Sequence, residues 1–100
     1  MSKQQSQSNV RERVDLREPH RWQVIFWNDD FTTMDFVVMI LTEVFHKSEK
    51  ESEAIMLEVH KKGSAIVGAY SYDIAISRTE RATEMARKEG FPLKITYRKE

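Results

Sequence analysis

No cysteine occurs among the 100 residues, prolines number two and glycines three, and sixteen basic residues cancel sixteen acidic ones. Each shortage excludes something. Without cysteine the chain has no disulfide framework, no thiolate nucleophile and no thiolate metal site, which fits a reducing compartment such as the cytoplasm. Without net charge no long-range field draws it to nucleic acid or to an anionic membrane, and neither is expected as a partner. The longest apolar run, Phe36 to Leu41, is far shorter than the roughly 20 residues that span a bilayer. Met1 to Val10 lacks the apolar segment of a signal peptide, so an unexported protein is expected.

The hydrophobic content of 40% and aromatic content of 10% suit one small domain. Met1 to Pro19 holds three glutamines, three serines and alternating charges, with Val10, Val14 and Leu16 as its sizeable apolar residues after the initiator. These are too few to offset the entropy of ordering, so residues 1–20 read as a loose arm and residues 21–100 as the folded core, expected as a monomer.

The chain is organised around Arg21 to Val37, RWQVIFWNDDFTTMDFV. Trp22 to Trp27 is aromatic or β-branched at every position but one, the composition of a mostly buried strand. The strand runs into Asn28, Asp29 and Asp30, followed by Thr32 and Thr33 as candidate caps for a helix opening at Met34. That helix, apolar around most of its circumference through Phe45, is expected to be largely buried. Ser48 and Glu51 have capping-box spacing for a second helix ending at Lys61, Lys62 and Gly63. On it, Met56 and His60 lie four residues apart and project side by side.

Ala65 to Tyr70 is a second strand, its interior Gly68 marking a bulge or the close approach of another backbone. Ser71 is placed to cap a third helix carrying Asp73 in its first turn and a stripe of Ala75, Thr79, Ala82, Met85 and Ala86, with Gly90 ending it. Leu93, Ile95 and Tyr97 then alternate with Lys94, Thr96 and Arg98, a half-buried strand. The order is βααβαβ. A helix pair between strands one and two returns the chain antiparallel, and a single helix between strands two and three returns it parallel. Only with the first strand in the middle is every neighbouring pair antiparallel. The expected fold is α+β, a three-stranded antiparallel sheet with three helices on one face.

The Asn28, Asp29, Asp30 run is compatible with a hard-cation site, an acid/base pair, a receptor for an organic cation, or a plain polar turn, since Asn and Asp form turns readily. A calcium loop is disfavoured because Asn28 to Thr33 lacks both the ligand order and the glycine of such a site. Carboxylates on adjacent residues do not flank a glycoside. With no cysteine and no G-x-S-x-G serine, nucleophilic hydrolysis has no residues to perform it. No enzyme activity, metal or cofactor is expected.

Three separated segments, NDDFTTMDFV at 28–37, MLEVHKKGSAIVGAY at 56–70 and Pro92–Leu93, resemble the ClpS family in order and spacing. These are adaptors that hand N-degron substrates to the AAA+ unfoldase of the bacterial Clp protease. The resemblance spans Trp22 to Lys99 and implies a fold similar to the C-terminal domain of the ribosomal stalk protein, a non-degron interaction module that lacks the NDD turn and the helix histidine. It implies that Asn28, Asp29 and His60 hold the free α-amino group of a substrate's first residue. It implies further that Asp30, Thr32, Met34, Val37, Met56 and Leu93 line the pocket for a Leu, Phe, Tyr or Trp side chain, Met34 shutting out β-branched ones. Asp73 and Arg78 are similar to part of the surface that docks on the N-terminal domain of a ClpA-like or ClpC-like unfoldase, which in the family also engages the arm during hand-off. The chain departs from the family at Phe31, often Tyr, at Thr33, often Pro, at Val67, in some members Cys, and at Arg78, commonly Lys.

Overall fold

The structure, a computed structural model, describes residues 20–100. The arm expected over residues 1–20 lies outside the described residues except for His20. Six elements follow: strand β1 (Trp22–Trp27), helix α1 (Met34–Glu43), helix α2 (Glu49–Lys62), strand β2 (Ser64–Tyr70), helix α3 (Tyr72–Lys88) and strand β3 (Lys94–Lys99). The sheet order is β2-β1-β3 and both pairings are antiparallel. The first strand is central, as the counting of crossings requires.

Local chemistry explains the boundaries. The Ser48 hydroxyl accepts from the Glu51 N–H while the Glu51 carboxylate accepts from the Ser48 N–H, a complete capping box that opens α2. Gly63 closes α2 in the left-handed conformation, φ 93°, with open space where a Cβ would stand. Its requirement is therefore conformational alone, and Gly63→Ala is expected to destabilise the domain by about 1 to 2 kcal/mol, read from a urea midpoint. At the end of α3 the Gly90 N–H reaches Arg87 O and the Phe91 N–H reaches Ala86 O, a pair of bonds that turns the chain sharply toward β3. Ser71 occupies the cap position of α3 in extended conformation, but its side chain makes no capping bond.

Between Val24 and Ile25 the β1–β2 register slips by one residue, so Val67 is the extra residue of a bulge beside Gly68. A Cβ on Gly68 would stand 2.8 Å from the Tyr70 hydroxyl and 3.3 Å from Lys47 Nζ, so the bulge reading of this glycine holds, and what approaches it closely is a pair of side chains rather than another backbone.

The two faces of β1 differ. Val24 and Phe26 are fully buried in a core joined by Ile40 and Leu41 of α1, Val59 of α2, and Ala75, Ala82 and Ala86 of α3. The small residues of α3 let that helix lie close to the sheet. Ile25 and Trp27, on the opposite face, are outside this core and border a separate hollow of about 240 Å³ with Ile66 and Arg98. The strand expected to be mostly buried thus ends in a Trp27 that is 38% exposed, because among the described residues no helix covers the outer face. Likewise α1 is not buried all round: Met34, its first residue, is exposed. Among the described residues no helix is long and apolar enough to cross a membrane.

Candidate functional site

At the end of β1 the Trp27 indole N–H donates to Thr96 Oγ1 at 2.9 Å, and Lys94 Nζ lies 5.3 Å from the ring centre, pinning the strand end to β3. The next residue is held from the other side. The Asn28 N–H donates to Gly63 O at 2.9 Å, tying the start of the acidic turn to the end of α2. Asn28 is thereby set beside the last turn of the helix that carries His60.

Asp29 builds the turn. Its Oδ1 accepts the N–H groups of Phe31 at 2.8 Å and Thr32 at 2.7 Å, and its Oδ2 accepts the Thr32 hydroxyl at 2.7 Å. Partial burial pushes the carboxyl up. The bonds from Thr32 and Phe31, with the Arg87 guanidinium, outweigh that and hold Asp29 below its ordinary value, so it is ionised at neutral pH. Thr33, one of the two candidate caps, caps α1 by accepting the Phe36 N–H at 3.2 Å. Thr32 is spent on Asp29 instead.

A cavity of about 410 Å³ opens at this turn between the starts of α1 and the ends of α2. One part of its lining is polar: Asn28, Asp29, Asp30, Thr32, Thr33 and His60. The other part is apolar: Phe31, Met34, Val37, Met56 and Val59. Met56 and His60, four apart on α2, both reach it. Leu93 is placed differently: it is 1% exposed, belongs to the core and does not line the cavity. Nor do Asp73 and Arg78. Asp73 is exposed in the first turn of α3, and the half-buried Arg78 lays its guanidinium over the Tyr70 ring at 5.2 Å. Among the described residues no cluster of three or more His, Asp and Glu side chains forms a metal-ligand set.

The family model described as ATP-dependent Clp protease adaptor protein ClpS matches residues 17–96. The chain belongs to the ClpS family. The ClpS adapter of Acetivibrio thermocellus is 51% identical over 80 residues, 80% of this chain and 81% of that protein. The ClpS adapter of Desulforapulum autotrophicum is 42% identical over 98 residues, 98% of this chain and 92% of that one. ClpS2 of Agrobacterium tumefaciens, solved bound to L-phenylalaninamide, matches the fold with a TM-score of 0.79 at 36% identity, covering 83% of this chain and 100% of that one. These ClpS relatives are named adaptors of a protease, not enzymes.

Residues that the sequence did not assign to the cavity also help to build or border it. Arg87, in the last turn of α3, donates to Phe91 O at 2.8 Å and Leu93 O at 3.1 Å while lending its charge to Asp29. Phe91 in turn packs edge-on against Phe36 with ring centres 5.0 Å apart, so the α3–β3 loop is held against α1. Phe31 borders the cavity yet is 74% exposed, an aromatic ring left in water at the mouth.

Proposed function

We propose that this chain is a receptor for the first residue of a polypeptide, one with a free α-amino group and a bulky apolar side chain of the Leu, Phe, Tyr or Trp kind, and that it delivers such cargo to a AAA+ Clp unfoldase in the cytoplasm. The observation that carries this is the two-sided cavity, in which an ionised Asp29 with Asn28 and His60 faces Met34, Val37 and Met56 across about 410 Å³.

An α-ammonium group is three donors bearing a full charge, and it calls for a carboxylate, an amide oxygen and a neutral imidazole nitrogen converging on it. The Asp29 carboxylate spends three of its roughly four acceptor positions on the turn, which fixes its direction and leaves one for the ligand. The ligand solved with the Agrobacterium relative, L-phenylalaninamide, offers just these features: a free amino group, an aromatic side chain and an amide where a chain would continue. Burying such a side chain contributes about 1.5 to 3 kcal/mol and each charge-assisted hydrogen bond roughly 1.5 to 3. Against the cost of ordering the peptide, affinity near micromolar follows, weak enough to release cargo.

For delivery, the exposed Asp73 with Arg78 at the start of α3 is the proposed contact for the N-terminal domain of a ClpA-like or ClpC-like unfoldase, clear of the cavity. The test is a titration with two peptides that differ only at the amino terminus. A peptide beginning with Phe is expected to bind and its acetylated twin to show no binding, because acetylation removes the charge and two of the donors. Equal behaviour of the two peptides would overturn the reading and favour an interaction module of the ribosomal-stalk type.

A further inference from the structure

The absence of cysteine leaves the thioether of methionine as the oxidisable sulfur of this chain. The described methionines are not equivalent. Met39, Met56 and Met85 are partly buried and pack against the core, whereas Met34 is 44% exposed and stands outside it. Met34 is also the first residue of α1, where its side chain forms part of the apolar wall of the cavity. Among the described methionines, the side chain most open to a dissolved oxidant therefore belongs to the surface on which the cargo side chain is proposed to rest.

We propose that Met34 is a site of reversible oxidation that switches cargo binding off under peroxide stress. The inference deepens the receptor reading and rests on it. The thioether sulfur attacks one oxygen of hydrogen peroxide; an S–O bond forms, the O–O bond breaks, and the displaced hydroxide takes up the proton released from the transferred oxygen and leaves as water. Sulfur loses two electrons and peroxide gains them. The product is a sulfoxide, polar and chiral where the side chain was apolar and flexible. A Leu or Phe side chain entering the cavity then strips water from the sulfoxide oxygen without offering a donor in return, so the polar wall opposes binding. Reduction by a methionine sulfoxide reductase, which returns two electrons to sulfur, restores the thioether.

The position of Met34 separates this effect from general damage. Its side chain is not part of the packed core, so oxidation leaves the fold standing. Met56, also on the cavity wall, is shielded by the core contacts that Met34 lacks.

The experiment exposes the full chain to graded hydrogen peroxide, maps sulfoxide by peptide mass, and measures binding of the Phe-initiated peptide at each dose. Met34 is expected to oxidise ahead of Met39, Met56 and Met85, with affinity falling at least about tenfold in step with Met34 sulfoxide, an unchanged far-ultraviolet spectrum, and recovery on treatment with a reductase. Whatever affinity a Met34→Leu variant has before treatment, it should keep after the same dose, while a Met56→Leu variant should lose affinity as the native chain does. Oxidation of Met39, Met56 or Met85 first, or full affinity in protein carrying Met34 sulfoxide, overturns the proposal while the receptor reading survives. If untreated protein fails to bind the free-amine peptide, the receptor reading falls and this inference falls with it.

Discussion

Asp29→Asn is expected to lose cargo affinity by about 2 to 4 kcal/mol, a factor of roughly 30 to 1,000, while melting close to the native chain. The substitution separates the two tasks of this carboxylate. An asparagine Oδ1 still accepts the N–H groups of Phe31 and Thr32, and its Nδ2 donates to Thr32 Oγ1 once that hydroxyl rotates, so the turn persists. What disappears is the negative charge that the proposed receptor turns toward the α-ammonium, which would leave a largely desolvated cation short of a partner. Asp29→Ala removes both, and is expected to lose binding and to loosen the start of α1 as well. Calorimetric titration beside thermal melting reads the two effects separately. Native affinity in the Asn variant would reduce Asp29 to a turn former.

The same carboxyl predicts a dependence on acid. Its folded-state pKa is lowered, so its contribution to stability is fully present above the ordinary aspartate value of about 3.9 and fades as the pH falls below it through the folded value. Amide exchange at Phe31 and Thr32, the two N–H groups it holds, should accelerate relative to the α2 amides as the solution is brought below that point.

Phe26→Ala is expected to be the most damaging single change to the fold, costing about 3 to 5 kcal/mol, a large share of the 5 to 15 kcal/mol that holds a small domain together. The side chain is fully buried on the central strand, and its ring meets Phe45 edge-on at 5.5 Å. Truncation leaves a cavity between β1 and the α1–α2 connection, and neither side collapses easily: β1 is paired on both edges and the Phe45 N–H is tied to Ile40 O. Phe26→Leu, which retains most of the volume, should cost much less. Urea unfolding measures both, and an Ala variant within 1 kcal/mol of native would show that the helices do move in.

Where periodicity and caps act within a few residues, the sequence was sufficient. The capping box at Ser48 and Glu51, the left-handed Gly63, the adjacency of Met56 and His60 and the central place of β1 each follow from spacing or from counting crossings. What escaped depends on backbone angles or on distant packing. Nothing in NDDFTT tells that Thr32 serves Asp29 while Thr33 caps the helix, because both threonines have the same chemistry and only the path of the turn separates them. Composition made α1 a buried helix; Met34 is exposed because a cavity opens at its first turn. Trp27 looked like core and is half in water, since a face lacking a helix leaves no trace in the strand's own composition. Leu93 takes the core place that its alternation with Lys94 marks, but the bonds by which Arg87 holds the carbonyls of Phe91 and Leu93 join α3 to β3 and have no local signature.

The bond from the Asn28 N–H to Gly63 O joins the two ends of a long excursion, since the chain leaves the sheet at Asn28 and returns only after α1 and α2 are complete. Closing so wide a loop costs entropy that no local turn repays, and it awaits the pairing of β1 with β2. Asn28 and His60 thus meet late, when the sheet is already formed. A growing chain on the ribosome that has not yet produced β2 has no assembled cavity, so under the proposed function it could not sequester the amino termini of its neighbours before it is itself a finished protein.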